Sequence, residues 1–181
     1  MAVEAYLALW RGGPADSLYL DAVLRDPASP YRWSDLADSL LTSGDKARAA
    51  FCSRRSIMLG PNVPAILLRA MNFAILSGMK PDALAAAGRL LDLVPDRYAD
   101  IVFLQLTRAG CDANDVVTQI LTSHPGLARR YLSRTMSAVD VSGVANVWHW
   151  MQAHNLVDAA TERQYRSFEA RHMFTRGLRN P

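Results

Sequence analysis

Proline and glycine punctuate the first half of this chain with a period of 34 residues. Pro27, Pro61 and Pro95 stand in that series, as do Pro30 with Pro64, Gly44 with Gly78, and the small residues Ala15, Ala49 and Ala83. A fixed period of this length marks supersecondary units that cover their apolar faces by stacking on their neighbours. Within each period two apolar-periodic stretches of about a dozen residues flank the glycine, which reads as helix, tight turn, helix. Gly44 falls where the first helix must stop, and glycine adopts the left-handed C-terminal conformation cheaply. Asp45 follows as a candidate cap for the second helix. Ala37 and Ala49 let the two helices approach closely. Pro61 cannot continue a helix interior and is expected to end the second helix. Gly78, with Pro81 and Asp82 after it, repeats the logic, and Pro95 is expected to close that unit as Pro61 closes the one before. The alternative is an ordinary antiparallel bundle with a chance period.

Counted from Pro30, the unit offers Trp33, Leu36, Ala37, Leu40, Ala49, Ser53, Ser56 and Pro61. Counted from Pro64, it offers Leu67, Ala70, Met71, Ala74, Ala83, Ala87, Leu90 and Pro95. In spacing and residue type this resembles the tetratricopeptide repeat, most closely over residues 27–97. The first unit departs at Ser53, where the family has an aromatic, and at Ser56, where it has alanine; Phe51 and Ile57 are expected to serve instead. The second departs at Ala70 and Met71. The resemblance implies an all-α, right-handed solenoid of stacked antiparallel helix pairs. It divides the chain into a divergent repeat over 1–29 with a short first helix, two repeats over 30–97, degenerate pairs over 98–157, and a last helix with its tail over 158–181. Beyond Pro95 the register drifts: Gly110 and Pro125 again bracket a helix but stand closer together, and a further break is expected near Val141–Gly143. The ending "TRGLRNP" leaves the last helix without a covering partner, which suggests a continuation beyond it or a helix used as cap.

Alanine and leucine dominate the apolar half of the composition, which favours helix over strand. No apolar run reaches the length of a membrane span, the best candidate being broken by Arg69 and Asn72. No export signal is visible, so the cytoplasm is the expected compartment, or the periplasm if the chain is a piece of an exported protein. Cys52 and Cys111 are far apart and fit no metal spacing; each reads as a small buried hydrophobe. The net charge of +3 is unevenly placed, because residues 126–181 carry 8 basic and 4 acidic side chains.

The sequence carries no recognisable catalytic motif. His149 and His154 are spaced so that a helix points them apart. Glu169 and His172 have the i, i+3 spacing of a helix-borne metal pair, but only one such pair is present. No phosphate-binding glycine loop, nucleophile elbow or metalloprotease motif occurs. The expectation is a protein without enzymatic activity, cofactor or metal. Arg129, Arg130, Arg134, Arg163, Arg166, Arg171, Arg176 and Arg179, interleaved with Tyr131, Tyr165, Phe168 and Phe174, keep an RNA-binding alternative open. The segment "VANVWHWMQAHNLVDAATERQY" also loosely resembles a pentatricopeptide unit. Of Trp148 and Trp150, two apart on a helix, one is a candidate exposed anchor.

In the tetratricopeptide family the first helices line a concave groove that holds a peptide or helix. The matching positions are Tyr31, Ser34, Asp35, Asp38, Leu41 and Thr42 in one unit. In the next they are Ala65, Leu68, Arg69, Asn72, Ile75 and Leu76. Members that grip an acidic chaperone tail place lysine and asparagine where this chain has Ser34 and Asp38. The resemblance therefore implies a protein-interaction scaffold whose protein or peptide partner is basic or amphipathic.

Overall fold

The computed structural model describes residues 14–177, with side chains over 16–172. The short first helix expected ahead of residue 14, the side chains of Phe174 and Arg176, and Arg179 with the chain end all lie outside the described residues. The described fold is all-helical. Its helices are α1 (Pro14–Arg25), α2 (Pro30–Thr42), α3 (Lys46–Leu59), α4 (Pro64–Leu76), α5 (Lys80–Leu93), α6 (Pro95–Arg108), α7 (Ala113–Val116, continued by a π turn over Val117–Leu121), α8 (Ala128–Ser137), α9 (Val141–Ala153) and α10 (Ala159–Gly177). Contacts divide the chain into two compact units, Met1–Leu93 and Val94–Pro181.

In the first unit the period is visible in the element bounds themselves: α2 and α4 both span 13 residues and α3 and α5 both span 14, each pair offset by 34. Consecutive helices pack as pairs, α2 on α3 and α4 on α5, and α2 also lies beside α4. This is a helical-repeat stack. Gly44 and Gly78 close the first helices with φ of 89° and 75°. Beyond each, an N–H reaches back five residues, from Asp45 to the Leu40 carbonyl and from Met79 to the Ala74 carbonyl. That is the double-bonded left-handed cap, and it satisfies carbonyls that the helix end would orphan. Asp45 then accepts from the Arg48 N–H at 3.0 Å, as its place in the sequence predicts. The Arg48 N–H and guanidinium hold the Asp45 carboxyl below its usual range.

Trp33, Leu36, Ala37, Leu40, Ala49 and Cys52 form one buried cluster with Leu20 and Val23 of α1. Leu67, Met71, Ala74, Ala83, Ala87 and Leu90 continue the core through the next pair. The departure at Ser56 has a physical explanation. Ser56 is buried and its hydroxyl donates to the Pro30 carbonyl at 2.7 Å, tying the end of α3 to the start of α2. Phe51 packs edge-on to Trp33 at 6.1 Å. The Trp33 indole N–H is satisfied by the Pro27 carbonyl at 2.9 Å. Asp16 of α1 is buried too, accepting from Ser39 of α2 at 2.7 Å and from Ser43 just past its end at 3.3 Å.

Pro95 does not end a helix. Pro27 and Pro61 lie in the loops after α1 and α3, but Pro95 occupies the first turn of α6, as Pro30 and Pro64 do in α2 and α4. The connection shrinks to Val94 alone, and α6 begins three residues ahead of the period. Proline suits that first position, where its missing N–H would have had no helical partner.

The second unit is also all-helical among the described residues, with irregular punctuation. Helix α6 lies beside α8, and α9 packs on both α7 and α8. Gly110 takes φ 65°, like the two glycines before it. The following helix is shorter, and its last turn is wound as π, with the Thr122 N–H reaching the Val117 carbonyl at 3.0 Å. The break expected near Val141–Gly143 lies slightly earlier: Val139 takes φ 56° and Asp140 caps α9 by accepting from the Gly143 N–H at 2.9 Å. Gly143 is thus inside the first turn of α9. Trp148 and Tyr165 stack face to face at 4.1 Å, joining α9 to α10. Trp150 is only partly buried and leans on His154 at 4.6 Å.

Candidate functional site

The residues expected to form a groove lie on α2 and α4, the side-by-side first helices of the first unit. Position 69 is one period beyond position 35, so stacking brings Arg69 next to Asp35. Its guanidinium donates to Asp35 and to Asp38, both at 2.7 Å. Burial works to lower the pKa of Arg69, but the bonds to Asp38 and Asp35 outweigh it and raise the value. One forked cation thus fastens two helices and offsets much of the acidity expected here.

The other positions divide by depth. Ser34 is buried beneath the surface, while Tyr31, Asp38 and Thr42 are exposed. The Thr42 hydroxyl donates to its own helix at the Asp38 carbonyl, 2.9 Å away. Leu68, Asn72 and Ile75 are half-buried. Leu76 stands 76% exposed at the end of α4, and Tyr31 is 45% exposed at the start of α2. Apolar surface therefore marks both ends of this face, and a neutralised charge cluster occupies its middle.

Behind α4, between α3 and α5, lies an apolar cavity of about 250 Å³ walled by Ser53, Ile57, Phe73, Met79 and Ala86. Ser53 is the position at which the repeat pattern calls for an aromatic, so the space follows from that small side chain. On the second unit a larger, more open trough of about 430 Å³ runs along α8. Arg129, Arg130 and Arg134 line it with Asp100, Ser133 and Phe103. The run of arginines is legible in the sequence, but its convergence with α6 is not.

The groups with shifted pKa values are scattered, and each has a local cause. Burial pushes the Cys52 thiol up to about 12. Burial also raises Tyr131, aided by Asp140, and raises Tyr165, aided by Glu169. Asp158 is lowered by the hydroxyl and N–H of Thr161, whose helix it caps. Among the described residues no three His, Cys, Asp or Glu side chains gather as a metal site, and no helix is long and apolar enough to cross a membrane. His172 packs against Phe168 at 4.5 Å. Comparison with protein-family models, with curated proteins and with solved structures finds no match for this chain.

Proposed function

We propose that the chain is a non-catalytic interaction scaffold, and that the face formed by α2 and α4 holds an amphipathic helix or peptide of a protein partner. The observation that carries this reading is the placement of Leu76 and Tyr31. Both are large, apolar and exposed, and they stand at opposite ends of a face whose first helices lie side by side. Thirteen-residue helices span roughly 20 Å, enough to receive three turns of a partner helix. Exposed apolar side chains rimmed by polar ones mark partner surfaces. Partner chemistry follows from the charges: Asp35 and Asp38 against Arg69 leave one net negative charge, so an amphipathic ligand with a single basic residue fits better than a polybasic one. The tetratricopeptide resemblance over 27–97 supports the same face. The shifted titratable groups each have a local cause, whether a cap, burial or the ion pairs of Arg69 with Asp38 and Asp35.

An RNA-binding reading would draw on the arginines of the second unit. Of the aromatics interleaved with them, Tyr131 and Phe168 are buried and Tyr165 is engaged by Trp148, which leaves fewer faces for bases to stack on.

The test is affinity capture from the native host with the wild type and with a Tyr31→Ala, Leu76→Asp double variant. Partners seated on this face should disappear from the variant while its thermal unfolding stays unchanged. An identical partner set would refute the assignment.

A further inference from the structure

The trough on the second unit has a charge character that the α2–α4 face does not share. Helix α8 reads "ARRYLSRTMS", with three arginines and no acid. Its inward face supplies Tyr131, Leu132, Thr135 and Met136 to the core. Its outer face presents Arg129, Arg130 and Arg134 to the open volume, where Asp100 of α6 is the one carboxylate among the described residues of the lining. The balance in the lining is three positive charges against one negative.

The existing pairings of these arginines are loose. Arg129 meets Asp158 at 3.3 Å and Arg130 meets Asp96 at 3.7 Å, all on exposed side chains. Exposed pairs of this kind contribute little, so an incoming anion can displace them. Arg134 has no acidic partner among the described residues, although it is half-buried beside the trough. Arg130 and Arg134 are one turn apart and project side by side. Ser133 accepts a hydrogen bond from Gln164 of α10 at 3.2 Å, which leaves its own hydroxyl hydrogen free to turn outward.

We propose that this trough is a second binding site, one that takes an acidic, carboxylate-rich peptide segment. Three observations select that occupant. Guanidinium groups in a row match carboxylates through paired, charge-assisted bonds. The lining runs from Gly126 to Ser137, roughly 16 Å of helix, which suits a chain better than a single small anion. Nucleic acid fits less well because the nearby aromatics, Phe103 and Tyr131, are buried and offer bases no face. The site is separate from the α2–α4 face and does not rest on that assignment.

The experiment is fluorescence anisotropy of labelled oligoglutamate, with oligolysine and oligouridylate as comparison probes. Oligoglutamate should bind saturably and weaken as salt rises. Arg134→Gln should weaken it about tenfold, the loss of one charge-assisted contact. Asp100→Asn should tighten it, a gain that misfolding cannot produce. Arg163→Gln, outside the lining, should leave affinity within about twofold. Absence of oligoglutamate binding would overturn the proposal, as would binding insensitive to both Arg134→Gln and Asp100→Asn. Tighter binding of oligouridylate that Arg134→Gln abolishes would overturn it in favour of nucleic acid.

Discussion

Replacing Val139 with glycine should stabilise the second unit. Val139 sits at φ 56°, in the left-handed region, where a β-branched side chain is strained. Its surroundings repeat the cap at Gly44. The N–H groups of Ala138, Val139 and Asp140 reach Arg134, Met136 and Thr135, just as those of Ser43, Gly44 and Asp45 reach Ser39, Leu41 and Leu40. Asp140 then caps α9 as Asp45 caps α3. Valine thus stands where the first unit uses glycine. Relieving the left-handed conformation returns about 2 kcal/mol for a branched residue. Against this, glycine frees the unfolded chain by about 0.7 kcal/mol. Val139 is 53% exposed, so truncation forfeits roughly half of a valine's burial, about 0.7 kcal/mol. The net is a gain of about 0.6 kcal/mol. For a chain of this size that raises the melting temperature by roughly 1–3 °C. Val139→Asn should act in the same direction, since asparagine tolerates this conformation. Asn155→Gly is the control: Asn155 closes α9 at φ 55°, with the Leu156 N–H reaching the Met151 carbonyl at 2.9 Å, so little strain remains to relieve. Urea unfolding followed by far-ultraviolet dichroism measures the shift. Loss of stability in both Val139→Gly and Val139→Asn would refute the strain argument.

Two further outcomes follow from burial. Cys52 ionises in the unfolded chain near pH 9 but in the folded chain only near 12, so the folded state holds a proton that the unfolded state has lost. Stability is therefore full below pH 9 and falls between 9 and 12, by at most about 1.4 kcal/mol per pH unit from this group; Cys52→Ala should remove that component of alkaline unfolding, and a thiol reagent should reach Cys52 only as the unit opens. Ser53→Leu should fill the cavity between α3 and α5 and raise stability by about 1 kcal/mol, measured by chemical denaturation; a loss would mean that Ile57 and Met79 cannot accommodate the larger side chain.

Legibility in the sequence tracked how faithfully punctuation was kept. Between Pro30 and Leu93 Gly44 and Gly78 close helices and Pro30 and Pro64 open them, and the helix bounds could be read from them. Beyond Val94 the signals mislead. Pro95 has the spacing of a closing residue but opens a helix, because the loop before it has shortened to one residue. Val139 makes a turn that only glycine or asparagine would have announced, and the nearest glycine, Gly143, lies inside the helix that follows. Arg69 and Asp35 share a repeat position, so their pairing could have been derived from the period alone. The burial of Ser34 could not, since it depends on how deeply α2 seats between its neighbours. The trough over α8 escaped for a similar reason: a row of arginines specifies charge, but not which helix stands opposite.

The stack of Trp148 on Tyr165 gives the protein a built-in optical gauge. Parallel rings at van der Waals separation couple electronically, so the indole should emit weakly and contribute a strong near-ultraviolet dichroic band while α10 is seated. If α10 lifts, the fluorescence should brighten and the band should fade before the remaining helices lose their far-ultraviolet signal. Release of the last helix can thus be followed in real time without a label, with Tyr165→Leu as the variant that switches the gauge off.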